Sequence, residues 1–381
     1  MALDDSQIQK YADLLVNFGL SEGKGLNQGD SVLLSTPNIS DRIITSIRES
    51  VERSGGQLFL DDFKPLSADE LNNILDEKEL EQYFREYYGR KIKHKNYIHL
   101  ISKKNFEVSN ITLPNKFVNT IDDKEYGKYL REKTRRMREG SYSYSRAYIP
   151  ELLSPDTCFL DKDDPILEFK ERKEQLAKIS HEILEPLQDF HVTSEHSEFE
   201  LTIGDNRRWR YMTGQNIPSY EIFTTPDWRT MNGTFYSNMP IMFGGNEIRG
   251  IQLTFKNGVI TEFKSEGNVK DIEKIISLTN MDKIGEFSMT DERISPIDNP
   301  TGLNMIDENV DGNIHIAIGQ GYSQCLKETV QVDSDFEKIG FNVATSHIDL
   351  ISTEHFTVES KINGHWTTIF SNGRFIVKQV S

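Results

Sequence analysis

A chain of 381 residues that is 36% hydrophobic and 27% charged has material for two or three domains of ~100–200 residues, each with its own core. Its 44 Lys and Arg stand against 60 Asp and Glu, a net charge of −16, which argues against nucleic-acid binding, where bound cations neutralise phosphates. Cys158 and Cys325 are the only cysteines, so a disulfide framework is excluded, and no apolar run approaches the ~20 residues of a membrane helix. The opening MALDDSQIQK carries acids where a signal peptide needs positive charge. The expectation is a soluble, cytoplasmic, globular protein with no membrane partner.

In the first third, helix and strand alternate. Ile8, Tyr11, Ala12, Leu15 and Phe18 share one helical face, with Gly19 placed as the cap. SVLLST at 31–36 reads as a strand, and Ile43, Ile44, Ile47 and Val51 mark a helix over 41–53 that ends before Gly55-Gly56. QLFLD at 57–61 and NYIHLIS at 96–102 read as further strands, and Ser67 with Glu70 forms a capping box for a helix from about 68. This order predicts a parallel sheet with crossover helices. Gly23, Gly25 and Gly29 precede a strand, whereas a dinucleotide fingerprint follows one, so they read as a loop.

The charged run 121–139 reads as a solvated helix with i,i+4 ion pairs, and 141–155 as a turn-rich connection. Residues 165–187 read as a long helix; its His181-Glu182 lacks the second His at 185 that a zincin requires. Beyond about 197 the pattern changes. Asn-Gly pairs at 232–233, 257–258, 363–364 and 372–373 suit two-residue hairpin turns. Ile251, Leu253 and Phe255 alternate before the second pair, and Val259, Thr261 and Phe263 after it. A short helix is expected near 269–277. The fold class is therefore α/β plus α+β: an N-terminal parallel α/β domain over 1–110, and a mixed, largely antiparallel β domain over 111–381 with a helical lead-in to about 190.

Four segments carry candidate chemistry. In SHIDLI, residues two apart share a strand face, so His347 and Asp349 point the same way and form half of a metal site or a hydrogen-bonded pair. His315 lies in the apolar strand NIHIAIGQGY, after the acidic stretch of Asp307, Glu308 and Asp311. Glu221 sits beside Ile222 and Phe223 in PSYEIFTTPD, and Glu286 follows a glycine in KIGEFSM; carboxylates among apolar residues are costly unless paired or metal-bound. Each segment taken singly also reads as structural.

Together, in this order, the four resemble the AmpS/PepS-type aminopeptidases, metallopeptidase family 29, also called thermophilic aminopeptidases. The resemblance runs over nearly the whole chain, from KYADLLVNFGL and SVLLST through NIPSYEIFTTPD and GIQLTFKNGVITEF to SHIDLI. It implies six metal ligands: Glu221, Glu286 as a bridge, His315, Tyr322, His347 and Asp349. It further implies two divalent ions (Zn, Co or Mn), a C-terminal catalytic domain, a homodimer and peptide substrates with a free N-terminus. The segment from about 145 to 165 is shorter than in many members.

Such a set suits peptide hydrolysis. Two cations ~3.5–4 Å apart can share one water and bring its pKa towards neutrality, and a bridging carboxylate holds the like charges together. On this reading Glu286, Tyr322 and Glu221 are the catalytic residues, with Tyr322 either a ligand or a hydroxyl donor to the oxyanion. The rival within the same fold family is a ring-cleaving dioxygenase with one Fe(II) on His315, His347 and Asp349, for which Glu221 and Glu286 would be superfluous. A metal-stabilised scaffold without turnover is the non-enzymatic rival.

Overall fold

The structure, a computed structural model, describes residues 3–36, 39–102, 116–243, 246–267, 269–331 and 335–376. The chain forms two compact units, Met1–Glu171 with Met212–Ser219 and Arg172–Tyr211 with Tyr220–Ser381. The expected boundary at 110 lies outside the described residues. The division found comes later in the chain: residues 116–171, expected in the second domain, belong to the first unit. No helix among the described residues is long and apolar enough to cross a membrane. Cys158 and Cys325 are both buried free thiols.

The first unit is built on a parallel sheet of β1 (Ser31–Ser35), β2 (Gln57–Leu60), β3 (Asn96–Ile101), β4 (Ser143–Tyr148) and β8 (Asn216–Ile217), in the order β2-β1-β3-β4-β8. The helix Asp5–Asn17 opens on a reciprocal cap between Asp4 and Gln7 and buries Ile8, Tyr11, Ala12 and Leu15. Tyr11 then donates its hydroxyl to the Tyr148 carbonyl at 2.6 Å. Gly19 does not adopt the left-handed cap conformation. It is glycine because a Cβ there would lie 2.5 Å from the Leu15 carbonyl and 2.8 Å from Ser145 Oγ. The helices Asp41–Arg53 and Ala68–Asn73 form as the periodicity predicts, the latter with the Ser67–Glu70 box in place.

Two expectations for this unit are corrected. The turn-rich reading of 141–155 fails, because Ser143–Tyr148 is an interior strand of the parallel sheet. Its tyrosines are apolar bodies with polar tips: Tyr142 and Tyr144 bury against Leu33 and Tyr97. The helix Lys116–Arg138 has the expected ion pairs, Arg135 with Glu132 and Glu139 at 2.6 and 2.8 Å. It is not solvated all round, since Ile121 joins Leu71, Leu80, Phe84 and Tyr88 in a core cluster.

The second unit holds two antiparallel sheets. The larger contains β5 (Asp189–Thr193), β6 (Glu198–Thr202), β10 (Asn232–Ser237), β11 (Ile241–Phe243), β12 (Asn246–Lys256), β13 (Val259–Glu266), β17 (Thr357–Ile362), β18 (His365–Ser371) and β19 (Arg374–Phe375). Their order is β11-β12-β10-β6-β5-β17-β18-β19, with β13 paired to β12. The smaller contains β7 (Arg210–Tyr211), β9 (Glu221–Thr224), β14 (Ile284–Thr290), β15 (Ile314–Gly319) and β16 (His347–Ser352), in the order β16-β15-β14-β9-β7. The sheets pack through aromatic rings: Phe287 of β14 lies 5.9 Å from Phe190 of β5 and 6.2 Å from Phe199 of β6, with Trp209 at 6.1 Å. That contact buries one face of the small sheet and leaves its opposite face for the polar residues.

Three Asn-Gly pairs turn hairpins as expected, between β12 and β13, β17 and β18, and β18 and β19. The fourth does not. Gly233 lies inside β10 at φ 114, and a Cβ there would meet the Glu198 carbonyl at 2.2 Å, so it serves close strand approach. The alternation predicted after Asn257-Gly258 is also off by one residue. The two-residue turn pairs Lys256 with Val259 and so Ile260 with Phe255, which buries Ile260, and a bulge then leaves Thr261 unpaired and exposed.

Gly258 tests the turn. Its φ is +81, and a Cβ would lie 2.0 Å from the Trp228 carbonyl; Gly267 has φ +93 and nothing within 4 Å. Gly258→Ala should therefore lower unfolding free energy by about 2 kcal/mol or more, and Gly267→Ala by only about 1 kcal/mol, in urea titrations.

Candidate metal centre

Alternation along the small sheet sorts its residues onto two faces. The register pairs Glu221 with Thr290, Ser288 with Phe223 and His315, Ala317 with Glu286 and Asp349, and Gly319 with His347. Paired residues project to the same side, so Glu221, Glu286, His315, His347 and Asp349 share one face. The other face carries Ile222, Phe287, Met289, Ile314, Ile316 and Leu350, all buried. Ile348, expected in the core, is only half-buried.

Glu286 reaches the polar face through a bulge. Ile284 pairs with Ile318 but Glu286 pairs with Ala317, which leaves Gly285 as an extra, unpaired residue. Were Gly285 itself paired with Ala317, the alternation would send Glu286 towards the aromatic core. Gly285 must be glycine at this point, because a Cβ would lie 2.4 Å from the Gly319 carbonyl.

Donor atoms of Glu221, Glu286 and His315 lie within 4.8 Å of one another, and so do those of Glu286, His347 and Asp349; Glu286 is common to both groups. Glu221 Oε2 is 3.3 Å from His315 Nε2. His347 Nε2 is 3.0 Å from Glu286 Oε2 and 2.9 Å from Asp349 Oδ1. The first group is almost sealed, with Glu221 4%, Glu286 2% and His315 1% exposed, while His347 and Asp349 are half-buried. Tyr322 stands beside them, its ring 4.8 Å from that of His347 and 5.5 Å from that of Phe223. The structure thus brings all six residues named from the sequence to one place.

Further residues orient this set. The Gln320 carbonyl accepts from His347 Nδ1 at 2.6 Å, which turns Nε2 towards the carboxylates. Ser288 Oγ donates to Glu221 Oε2 at 2.6 Å, and Asn304 Nδ2 lies 3.5 Å from Asp349 Oδ2. None of the three was read from the sequence. Ser288 had a signal, since E-x-S in IGEFSM shares a face just as H-x-D does; a backbone carbonyl and an asparagine eighteen residues beyond Glu286 had none.

The electrostatics fit divalent cations. Burial raises the Glu286 carboxyl to about 7, helped by the neighbouring Glu221 charge and opposed by the hydrogen bond from His347. Burial works against charge on the two histidines. It is outweighed at His347 by Asp349 and Glu286, and at His315 by Glu221, Glu286 and Asp349, so both imidazoles hold a proton more tightly than usual. Protons thus neutralise a cluster that would otherwise bury several negative charges together. His315 Nδ1 is buried and meets no hydrogen-bond partner among the described residues. Imidazole nitrogens and carboxylate oxygens are the donors that zinc-like ions take. By contrast, His315, His347 and Asp349, the triad of the iron reading, form no donor group of their own among the described residues.

A cleft of about 880 Å³ lies elsewhere, on the large sheet, lined by His191, His196, Glu198 and Tyr236 among others. Its His196 approaches Glu195 and Glu354, but both His196 and Glu195 are exposed, so water screens these charges and no buried excess calls for a cation.

Comparison with known proteins gives a consistent result. The family described as thermophilic metalloprotease (M29) matches residues 153–375. Aminopeptidase PepS of Streptococcus thermophilus is 26% identical over 239 residues, 58% of this chain and 57% of that protein. Aminopeptidase T of Thermus thermophilus is 24% identical over 235 residues, 57% of this chain and 56% of that one. Aminopeptidase AmpS of Bacillus subtilis is 27% identical over 170 residues, 42% and 40% of the two chains. In each case the chain spans little more than half of the relative's length, or less. The structure of wild-type AmpT from Thermus thermophilus superposes with a TM-score of 0.67 at 17% identity, covering 97% of this chain and 99% of that one, which establishes a shared fold.

Since the ligand form of each group is the deprotonated carboxylate or neutral imidazole, cations must displace the protons held here. Zn²⁺ affinity should fall as pH drops below about 7 and rise as pH climbs through and above it. Calorimetry at pH 7 in buffers of different ionisation enthalpy should detect release of on the order of one to two protons per chain.

Proposed function

The chain belongs to the thermophilic metalloprotease (M29) family, and from that premise we propose that it is a metal-dependent aminopeptidase releasing the N-terminal residue of peptides. The proposal extends to two divalent ions per chain (Zn, Co or Mn), to Glu221, Glu286, His315, Tyr322, His347 and Asp349 as their ligands, and to a homodimer. The observation that carries it is Glu286, the one carboxylate common to two donor groups.

Glu221, Glu286 and His315 would hold one ion, and Glu286, His347 and Asp349 the other. When bound, a pair of such ions brings a shared water towards neutral pKa and polarises the scissile carbonyl. Glu286, common to both donor groups, would set its negative charge between two like charges and so let both stay close. Three carboxylates leave the pair one positive charge in excess, and two imidazoles add donors without adding charge. That residual charge would suit an anionic or neutral-amine ligand, which fits a peptide presenting a free N-terminus. Tyr322 either completes the ligand set or donates its hydroxyl to the developing oxyanion. A carboxylate of the set would be the group at hand to take a proton from water and to pass it to the departing amine.

The names of the relatives, all aminopeptidases, support the hydrolytic reading. Nothing in the family match or the relatives favours ring cleavage. Hydrolysis of aminoacyl-p-nitroanilides should vanish with chelator and return with Co²⁺, Zn²⁺ or Mn²⁺. Glu286→Ala should lower kcat on the order of 10³-fold or more and reduce metal content below two per chain. Full activity in that variant would overturn the bridging role, and bound metal without hydrolysis across a panel of residues would favour the scaffold reading.

A further inference from the structure

We propose that Ser288 is a positioning residue that orients Glu221 for the ion shared by Glu221, Glu286 and His315; the inference rests on the two-ion reading above. Ser288 is fully buried in β14, two residues from Glu286 and on the same face. Its hydroxyl donates to Glu221 Oε2 at 2.6 Å, within the range of a hydrogen bond strengthened by a charged acceptor. The same oxygen lies 3.3 Å from His315 Nε2, so the serine fixes the carboxylate where it meets the imidazole. A glutamate has three side-chain torsions to settle, and Glu221, at the first residue of β9, depends on such a contact to present one arrangement. Donors that orient a ligating carboxylate typically change metal affinity by 10–100-fold.

The effect is confined to one half of the centre. His347 and Asp349 are oriented by the Gln320 carbonyl and by Asn304, from different strands and loops. A serine whose short bond is to Glu221, with a longer 3.5 Å contact to the Ile222 carbonyl on the same strand β9, leaves that half untouched, and this separates positioning from a general loosening of the fold. Loss of the hydroxyl removes one donor and almost no volume from a strand that is otherwise apolar or bonded, so the variant keeps its sheet.

The test is a Zn²⁺ titration of the full chain against a competing chelator, with Co²⁺ absorption as a second readout. Ser288→Ala should weaken one of the two binding steps by about 10–100-fold, leave the other within about twofold, and alter the Co²⁺ spectrum of one equivalent only. Ser288→Thr, which keeps the hydroxyl, should restore the weakened step. Ser352→Ala serves as the control, because Ser352 Oγ is fully buried on β16, beyond β15 in the same sheet, without a hydrogen-bond partner among the described residues; both steps should stay as in the parent. Parent-like binding in Ser288→Ala, or equal weakening of both steps, would overturn the proposal. Glu286→Ala is titrated in parallel: if it still binds two ions, the two-ion reading fails, whereas loss of ions there with parent-like Ser288→Ala refutes the serine's role alone.

Discussion

Three carboxylates and two imidazoles lie together on one sheet face, most of them out of reach of water, and everything else in the second unit follows from the need to neutralise them. Charges of one sign cannot share a dry site unaided, because desolvation and mutual repulsion both oppose it. Without metal, the cluster meets the condition by holding protons, with Glu286 raised to about 7 and both histidines raised. On the proposed function, the same positions would serve a metal as its ligand set. The chemistry proposed for the centre is thus the visible form of an electrostatic requirement that exists before any substrate arrives.

The sandwich meets this requirement by giving each strand two jobs. In β14, Phe287 packs against Phe190, Phe199 and Trp209, while Glu286 and Ser288 on either side of it face the charged cluster. In β15, His315 projects between the buried Ile314 and Ile316. The backbone that carries the ligands is therefore clamped by the hydrophobic core through the residues next to them. Rigid presentation of this kind is what a metal centre needs to keep donor atoms in place.

Much of this was legible in the sequence because period-two alternation is a local property. His347 and Asp349 were read onto one face from three residues, and the sheet bears that geometry out. The parallel unit was legible for the same reason, since its strands and helices carry clean apolar periods. What escaped were features set by partners remote in sequence. Ser143–Tyr148 looked like a connection because its hydroxyl-bearing residues resemble turn composition, yet Tyr144 is buried by Leu33 and Tyr97 from other strands. Asn232-Gly233 looked like a turn because the dipeptide suits one, while the close approach of Glu198 that demands glycine there is a tertiary fact. The burial of Ile260 in place of its neighbours follows from the register that sets it opposite Phe255 of β12, with a bulge at Thr261 in its own strand. Ser288 carried a local signal, and only the position of Glu221 gives it meaning.

The unpaired glycine before Glu286 makes the strand's inside-outside phase a discrete variable. Pairing that single residue regularly with Ala317 would slide every later side chain of β14 to the opposite face: phenylalanine would be thrust among the acids and glutamate into the aromatic stack. Substitutions can adjust such a centre gradually, but a slip of pairing by one residue at this spot inverts it. Among descendants of this fold, an extra residue at 285 should therefore stay outside the ladder and without a side chain even where the chemistry around it drifts.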